Sequence, residues 1–273
     1  MTKDKNEDRC SCGTPSEDDV RKAVRERYTR VALRDSSCCG SDSETKCRCG
    51  GIYPSADLGS IPSEAQTASA GCGNPMAIAE LRPGMVVVDL GSGGGIDVFL
   101  ASKRVGPSGK VFGIDATPEM IFRARKTAKD NGFVDVEFRL GEIEHIPLEP
   151  DTADVVISNC VVNLSPDKDQ VFREAFRILK PGGRLAVSDV VLLRELPEEF
   201  RGDMSAWSAC FSGALLEEEY LASITRAGFV DVQVVGKDVY SEELLEGHIS
   251  RNEKTSDLSS LVASAKVTAV KPS

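Results

Sequence analysis

The sequence predicts an α/β fold in which a doubly wound, mostly parallel sheet carries helices on its faces. From Pro83 onward, apolar runs with strand-like composition alternate with segments of helical periodicity, which is the pattern of such a sheet. Residues 86–101 (VVVDLGSGGGIDVFLA) join an apolar run, a glycine-rich turn and a second apolar pattern, and so predict a strand, a tight turn and a helix. A chain of 273 residues can hold one large domain of this class with accessory segments.

The glycine-rich turn predicts a cradle for a nucleotide-bearing cofactor. Gly91 and Gly93 let the backbone turn sharply without a Cβ, so a ligand can approach the N–H groups at the start of the helix. A second predicted strand, KVFGID, ends 26 residues after Asp89 at Asp115, where a carboxylate can accept hydrogen bonds from ribose hydroxyls. Nicotinamide enzymes share both features, so the pattern predicts a ribose without identifying the cofactor.

A helix in the N-terminal part of the chain predicts an accessory layer or lid. Ser16 is placed to cap this helix, and its first turn is acidic. An apolar stripe follows at helical spacing, formed by Val20, Val24, Tyr28 and Val31. We divide the chain into this cysteine-rich helix and loop segment (1–75), a cofactor-binding domain (76–194) and a C-terminal region that completes the sheet (195–273).

The elements after the cradle alternate to the end of the chain. Thr117-Pro118 predicts the start of one helix and Ser165-Pro166 the start of another. The other predicted elements are, in order, the strands VEFRLGEIE (136–144), ADVVISNCVV (153–162) and GRLAVSDVVL (183–192), the helix EEEYLASITRAGF (217–229), and the strands VDVQVVGK (230–237) and VASAKVTAVKP (262–272).

Charge and apolar run lengths narrow the function classes. With 33 basic and 43 acidic residues the net charge is −10, which argues against nucleic-acid or membrane partners and favours a small-molecule substrate. No apolar run approaches the length of a membrane span, and MTKDKNEDRC lacks the hydrophobic core of a signal peptide. We therefore expect a cytoplasmic protein whose nine cysteines are mostly reduced and serve metal binding or redox chemistry.

The cysteines fall into two groups. Six form short pairs near the N-terminus, at positions 10 and 12, 38 and 39, and 47 and 49. Their spacing departs from the CxxC of zinc sites, which leaves loose thiols and a structural zinc site as alternatives. The other three, Cys72, Cys160 and Cys210, are isolated. Cys160 falls at the carboxyl end of the fourth predicted strand, where ligands bind in open α/β sheets, and the loops that carry the other two can fold over the same mouth.

These motifs carry a resemblance to a known family. DLGSGGG (89–95) resembles the first motif of class I S-adenosylmethionine methyltransferases, which have a Rossmann-like sheet. GCGNP, DLGSGGGIDVF, LGEIE, SNCVVNLSPDK, RILKPGG and CFSGA, in this order, closely resemble the arsenite S-adenosylmethionine methyltransferases over roughly residues 50 to 235. The resemblance implies S-adenosylmethionine as methyl donor, no metal cofactor, and trivalent arsenic bound by Cys72, Cys160 and Cys210.

Ten residues are expected to bind the cofactor. Met120 and Ile143 should contact adenine, whereas Glu142 either bonds the adenine edge or is solvated. Asn159 is expected to hold the methionine end through its backbone carbonyl. The full set is Asp89, Gly91, Ser92, Gly93, Asp115, Ala116, Met120, Glu142, Ile143 and Asn159.

Thiol-bound trivalent arsenic suits these residues chemically. It is soft and carries a lone pair, so thiolates bind it well and its attack on a sulfonium methyl needs no general base. The chain holds only two histidines, His145 and His248, and neither has a triad-like setting. Methyl transfer formally oxidises arsenic, and a thiol pair can return the two electrons. We hypothesise that Cys72 and one cysteine among positions 38, 39, 47 and 49 do so, and that a reductant such as glutathione or thioredoxin resets them.

The predicted function is therefore methylation of arsenite, presented as a thiol or glutathione complex, in arsenic detoxification. One alternative is a carbon methyltransferase of the quinone-biosynthesis type, which this chain resembles through DLGSGGG and LKPGG but which has no need of three cysteines at the mouth. The other is a non-catalytic, thiol-rich protein that sequesters arsenic or another metal.

Overall fold

A computed structural model describes residues 16–33, 53–67, 73–195, 213–240 and 260–273. Within these ranges one sheet contains seven strands: β1 (Val86–Leu90), β2 (Lys110–Asp115), β3 (Val136–Leu140), β4 (Ala153–Asn159), β5 (Leu179–Leu192), β6 (Val230–Val239) and β7 (Val262–Val270). Their order in the sheet is β3-β2-β1-β4-β5-β7-β6. The first five pair in parallel, and β7 runs antiparallel between β5 and β6. The predicted mostly parallel, doubly wound sheet is confirmed.

Helices cover both faces of the sheet. They are α1 (Glu17–Leu33), α2 (Ser55–Leu58), α3 (Ser63–Thr67), α4 (Ile96–Val105), α5 (Pro118–Asp130), α6 (Lys168–Ile178) and α7 (Glu217–Arg226), with 3₁₀ turns at Pro75–Ala77 and Val162–Leu164. Successive side chains of β1 point to opposite faces of the sheet, so the hydrophobic core has two halves. Val87 packs with α4 and α5 on one face, and Val88 packs with α6 and α7 on the other. No helix in the described ranges is long and apolar enough to cross a membrane.

Several predicted boundaries differ from the observed ones. The third strand ends at Leu140 and not at Glu144, and the fifth begins at Leu179 and not at Gly183. The fourth strand ends at Asn159, so Cys160 lies in the turn after it. The prediction that Ser165-Pro166 starts a helix is wrong, because α6 starts at Lys168 with Asp167 as its cap, which accepts a hydrogen bond from Gln170 N at 2.9 Å. The Ser165 hydroxyl donates instead to Glu144 at 2.6 Å. The Ser16 cap of α1 is confirmed by its bond from Asp19 N at 3.2 Å.

Residues 53–67 and the 3₁₀ turn at Pro75–Ala77 pack on the same face as α4. Tyr53, Ile61, Ala65 and Met76 share one hydrophobic cluster with β1 and α4. Arg104 of α4 ties the layer at its rim, donating to Met76 O at 2.6 Å and pairing with an aspartate of α2 at 3.2 Å. This accessory layer, made of residues 53–67 and 75–77, brings the chain to Gly73, at the carboxyl end of the parallel strands.

Candidate active site

A cavity lies at the carboxyl ends of β1, β2 and β4, with α1 along its rim. All ten residues predicted to bind the cofactor line it, and so does Cys160. The ends of β1 and β4 meet here because the two strands pair in register from Val87 with Val155 to Leu90 with Ser158. The sheet topology therefore brings side chains that are distant in the sequence to one edge of the sheet. Asp89 and Asn159, for example, are 70 positions apart.

The glycine-rich turn is in direct contact with the turn that follows β4. Gly91 has a φ of +69°, and the N–H groups of Gly91 and Ser92 donate to Ile114 O at 2.8 and 2.9 Å. A Cβ at Gly91 would lie 2.3 to 2.9 Å from three side-chain carbons of Val161. Glycine is needed here for both its conformation and its size. The cradle and the Cys160 turn are therefore held against each other.

Two buried carboxylates, Asp89 and Asp97, and the half-buried Asp115 surround the cradle. Burial raises the pKa of Asp89 well above its ordinary value, and the negative charges of Asp97 and Asp115 raise it further. Among the described residues, Asp89 Oδ1 and Ser92 Oγ have no hydrogen-bond partner although both are buried. Unpaired buried acceptors beside a cavity suit a ligand that donates hydrogen bonds or carries positive charge.

Asp115 connects the end of β2 to the cradle. Its Oδ2 accepts from Gly93 N at 2.9 Å, and its Oδ1 accepts from Thr117 N at 2.8 Å. Burial raises the pKa of Asp115, and these two backbone N–H groups oppose the rise. Each carboxylate oxygen keeps a further lone pair, so Asp115 still has acceptor capacity toward the cavity.

Cys160 follows β4 directly and has a left-handed backbone conformation with a φ of +60°. Non-glycine residues rarely adopt this region, and such strain persists where the surrounding structure imposes it. The Cys160 N–H donates to Ser188 O of β5 at 2.8 Å, and the residue is 4% exposed. Cys160 is the one cysteine within the described ranges, and it is disulfide-bonded in this structure.

Asn163 and Asp189 anchor the turn that contains Cys160, and the sequence analysis assigned neither residue a role. Asn163 Nδ2 donates to Asp189 Oδ1 at 2.9 Å and to Val190 O at 2.5 Å. Asp189 also accepts from Val190 N at 2.8 Å and from the Tyr220 hydroxyl at 3.3 Å. Burial raises the pKa of Asp189 to about 6. The available signal was a polar residue within each of two apolar strand-end motifs, SNCVVN and AVSDVV.

The helix α1 supplies four cavity residues, namely Arg21, Val24, Arg25 and Tyr28. Val24 and Tyr28 belong to the predicted apolar stripe, whereas the two arginines were not predicted to line a site. Arg25 pairs with Glu142, and Arg21 lies 3.7 Å from buried Glu144. Glu142, expected either to bond adenine or to be solvated, is thus engaged by α1.

Cys72 and Cys210 lie outside the described residues, as do His248 and the six N-terminal cysteines. The described residues that follow Cys72 and Cys210 in the sequence nevertheless lie beside Cys160. Gly73, which follows Cys72, bonds the Asn159 side chain. Ala214, four positions after Cys210, belongs to the same hydrophobic cluster as Cys160. His145 is exposed and is not among the residues that line the cavity.

Comparisons with known proteins agree with this geometry. Residues 81–228 match the family described as methyltransferase domain. An arsenite methyltransferase from Halobacterium salinarum is 40% identical over 269 residues, which cover 93% of this chain and 67% of that protein. An arsenite methyltransferase from Aquipseudomonas alcaligenes is 39% identical over 228 residues, covering 79% of this chain and 64% of that protein. The chain therefore spans about two thirds of the length of these curated relatives.

A solved structure agrees with the same assignment. The arsenic(III) S-adenosylmethionine methyltransferase of Chlamydomonas reinhardtii superposes with a TM-score of 0.68 at 32% identity, covering 80% of this chain and 73% of that one. The chain therefore belongs to the arsenite methyltransferase family and has its class I methyltransferase fold.

Proposed function

We propose that this protein transfers methyl groups from S-adenosylmethionine to thiol-bound trivalent arsenic. The observation that carries the proposal is the contact between the glycine-rich cradle and the turn of Cys160, a residue that lines the same cavity. The similarity of the whole chain to arsenite methyltransferases supports it. We further propose that the protein acts in the cytoplasm, in arsenic detoxification, with arsenite entering as a thiol or glutathione complex.

The cavity residues fit S-adenosylmethionine. This cofactor supplies a methyl group on a positively charged sulfonium when bound. The acids Asp89, Asp97 and Asp115 favour a cationic ligand, and the buried Asp89 Oδ1 and Ser92 Oγ are open acceptors for its donor groups. Asp115 would accept from the ribose, while buried Met120 and Ile143 would provide the apolar surface for adenine.

Cys72, Cys160 and Cys210 would hold the substrate. Arsenic(III) is soft and forms strong bonds to thiolates, which lose their protons on coordination. A thiol reductant would keep these sulfurs in the reduced form that binds arsenic. Held by these sulfurs, arsenic would present its lone pair to the methyl group that the cofactor supplies, and S-adenosylhomocysteine would be the product left behind. Holding arsenic at a reacting distance of about 3 to 3.5 Å can supply roughly 7 to 11 kcal/mol of the barrier.

Each transfer raises arsenic from the trivalent to the pentavalent state, so further transfers need two electrons. We propose that Cys72 and one of Cys38, Cys39, Cys47 and Cys49 provide them by forming a disulfide, which glutathione or thioredoxin then reduces. The electrons pass from two thiolates to arsenic, whose lone pair is restored. Replacing the four N-terminal cysteines together by serine should slow the later methylation steps. Wild-type rates for every step would refute this redox role.

The test of the function is incubation of the purified chain with arsenite, a thiol reductant and methyl-labelled S-adenosylmethionine. We expect labelled methylarsenicals, and we expect Cys160→Ser and Cys210→Ser to lose this activity. Cys10→Ser is the matched control and should retain it, because Cys10 has no proposed role. Arsenic binding without label transfer would instead identify a sequestering protein. Label transfer to a quinol, with arsenite ignored, would identify a carbon methyltransferase.

A further inference from the structure

The side chain of Asn159 is paired with a peptide from a distant part of the chain. Gly73 N donates to Asn159 Oδ1 at 3.1 Å, and Asn159 Nδ2 donates to Gly73 O at 2.7 Å. One side-chain amide thus makes both bonds that a neighbouring strand would make to Gly73. These residues are 86 positions apart, so the pair fixes a segment before the sheet to the end of β4.

Two further buried groups hold this amide in place. The Tyr53 hydroxyl lies 2.9 Å from both carboxylate oxygens of Asp97 and accepts from Asn159 Nδ2 at 2.8 Å. Asn159 Nδ2 also lies 3.3 Å from Asp97 Oδ2. Because Nδ2 faces three acceptors and Oδ1 faces one donor, only one orientation of the amide satisfies the network. Tyr53 and Asp97 therefore determine which way Asn159 presents its bonds to Gly73.

The close packing of Gly73 restricts the same segment from its other side. A Cβ at Gly73 would lie 1.7 Å from Ser188 Oγ, so its backbone rests directly on β5. Ser188 O is also the acceptor for the Cys160 N–H. Gly73 and Cys160 are thus located by contacts to the same two residues, Asn159 and Ser188.

We propose that Tyr53, Asp97 and Asn159 are positioning residues that fix the Gly73 peptide, which directly follows Cys72 in the sequence, at the end of β4. The proposal rests on the proposed function, in which Cys72 and Cys160 bind the same arsenic atom. Tyr53 is not among the residues that line the cavity, so its hydroxyl acts through Asn159 and not on the cofactor. The network joins the accessory layer to the site. When two sulfurs bind one arsenic atom, the second binds more strongly if its backbone is held close to the first, because its effective concentration at the arsenic is higher.

Tyr53→Phe in the full chain tests this role, because it removes one hydroxyl and keeps a buried ring. The substitution removes the hydrogen bond that Asp97 accepts from Tyr53 and the one that Asn159 Nδ2 donates to Tyr53, which corresponds to roughly a tenfold effect. We expect amide hydrogen exchange at Gly73 to be about tenfold faster and arsenite affinity, measured by equilibrium dialysis under reducing conditions, to be about tenfold weaker. The affinity for S-adenosylmethionine, measured by calorimetry, should fall less than the affinity for arsenite, because Tyr53 does not itself line the cavity.

Ser102→Ala is the matched control. Ser102 lies on α4 like Asp97, is buried, and donates its hydroxyl to Asp135 at 2.7 Å, away from the cavity. It should lose similar stability without changing Gly73 exchange or arsenite affinity. Equal losses in both variants would overturn the proposal. A wild-type chain that fails to bind arsenite refutes the proposed function, whereas wild-type exchange at Gly73 in Tyr53→Phe refutes the positioning role whatever the arsenic result.

Discussion

Replacing Asp189 by asparagine should stabilise the protein at neutral pH and not at acidic pH. Asp189 is 1% exposed, and burial raises its pKa from 3.8 to about 6. The Val190 N–H, the positive charge of Lys168, the Asn163 amide and the Tyr220 hydroxyl oppose this rise. Asparagine keeps an acceptor for Asn163 and Val190 and removes the charge.

The magnitude follows from linkage between protonation and folding. The pKa is higher in the folded state than in the unfolded state, so ionising Asp189 costs more in the folded protein. Well below pH 3.8 the carboxyl is protonated in both states and no penalty exists. The penalty grows as the pH rises toward 6 and is constant above it. The difference between pKa values of 3.8 and about 6 corresponds to about 3 kcal/mol.

The measurement is urea unfolding of Asp189→Asn and the wild type between about pH 4 and 8. The difference in unfolding free energy, variant minus wild type, should rise by about 3 kcal/mol across this range in favour of the variant. Asp238→Asn provides a control, because Asp238 is exposed and its pair with Lys266 is worth at most about 1 kcal/mol. A difference for Asp189→Asn that does not vary with pH would refute the assignment of a costly buried charge.

Three further predictions concern the cavity. Gly91→Ala should lower the free energy of unfolding by at least about 2 kcal/mol in thermal or urea unfolding, because it adds both a left-handed penalty and a steric overlap. Asp89→Asn should weaken S-adenosylmethionine binding in calorimetry. It should also stabilise the apo protein at pH 7, because the raised pKa of Asp89 shows that its charge is costly in the folded state. Tighter cofactor binding by this variant would contradict the prediction. Arg25→Ala should weaken cofactor binding by no more than about fivefold, because its pair with Glu142 is partly exposed. Arg30→Ala, on the same helix but away from the cavity, should have no effect on that affinity.

Much of the fold was predictable because its signals are local. The apolar run before Gly91 and the alternation in β7 each follow from the period of one element, and both strands form where predicted. The fourth strand stops earlier than predicted because Cys160 adopts a left-handed conformation, and apolar Val161 and Val162 continue the pattern without continuing the strand. The apolar character of a segment does not by itself indicate where the strand ends.

The cradle was predictable for the same reason, since its glycines and strand-end acids lie on short motifs. The ten predicted cofactor residues line one cavity, although their contacts with the cofactor stay a prediction. The two arginines of α1 were missed because a charged residue on an amphipathic helix ordinarily faces solvent. Their partners Glu142 and Glu144 lie more than 100 positions away, and no local pattern connects them.

The sequence by itself determined the strand and helix order, the glycine turn and the placement of a cysteine at a strand end, because each depends on neighbours within a few residues. The tertiary structure alone decided which polar side chains meet. Tyr53 and Asn159 are 106 positions apart and meet only because the accessory layer wraps α4 and ends on β5. Such contacts depend on how whole elements pack, and individual polar residues in a sequence do not specify their distant partners.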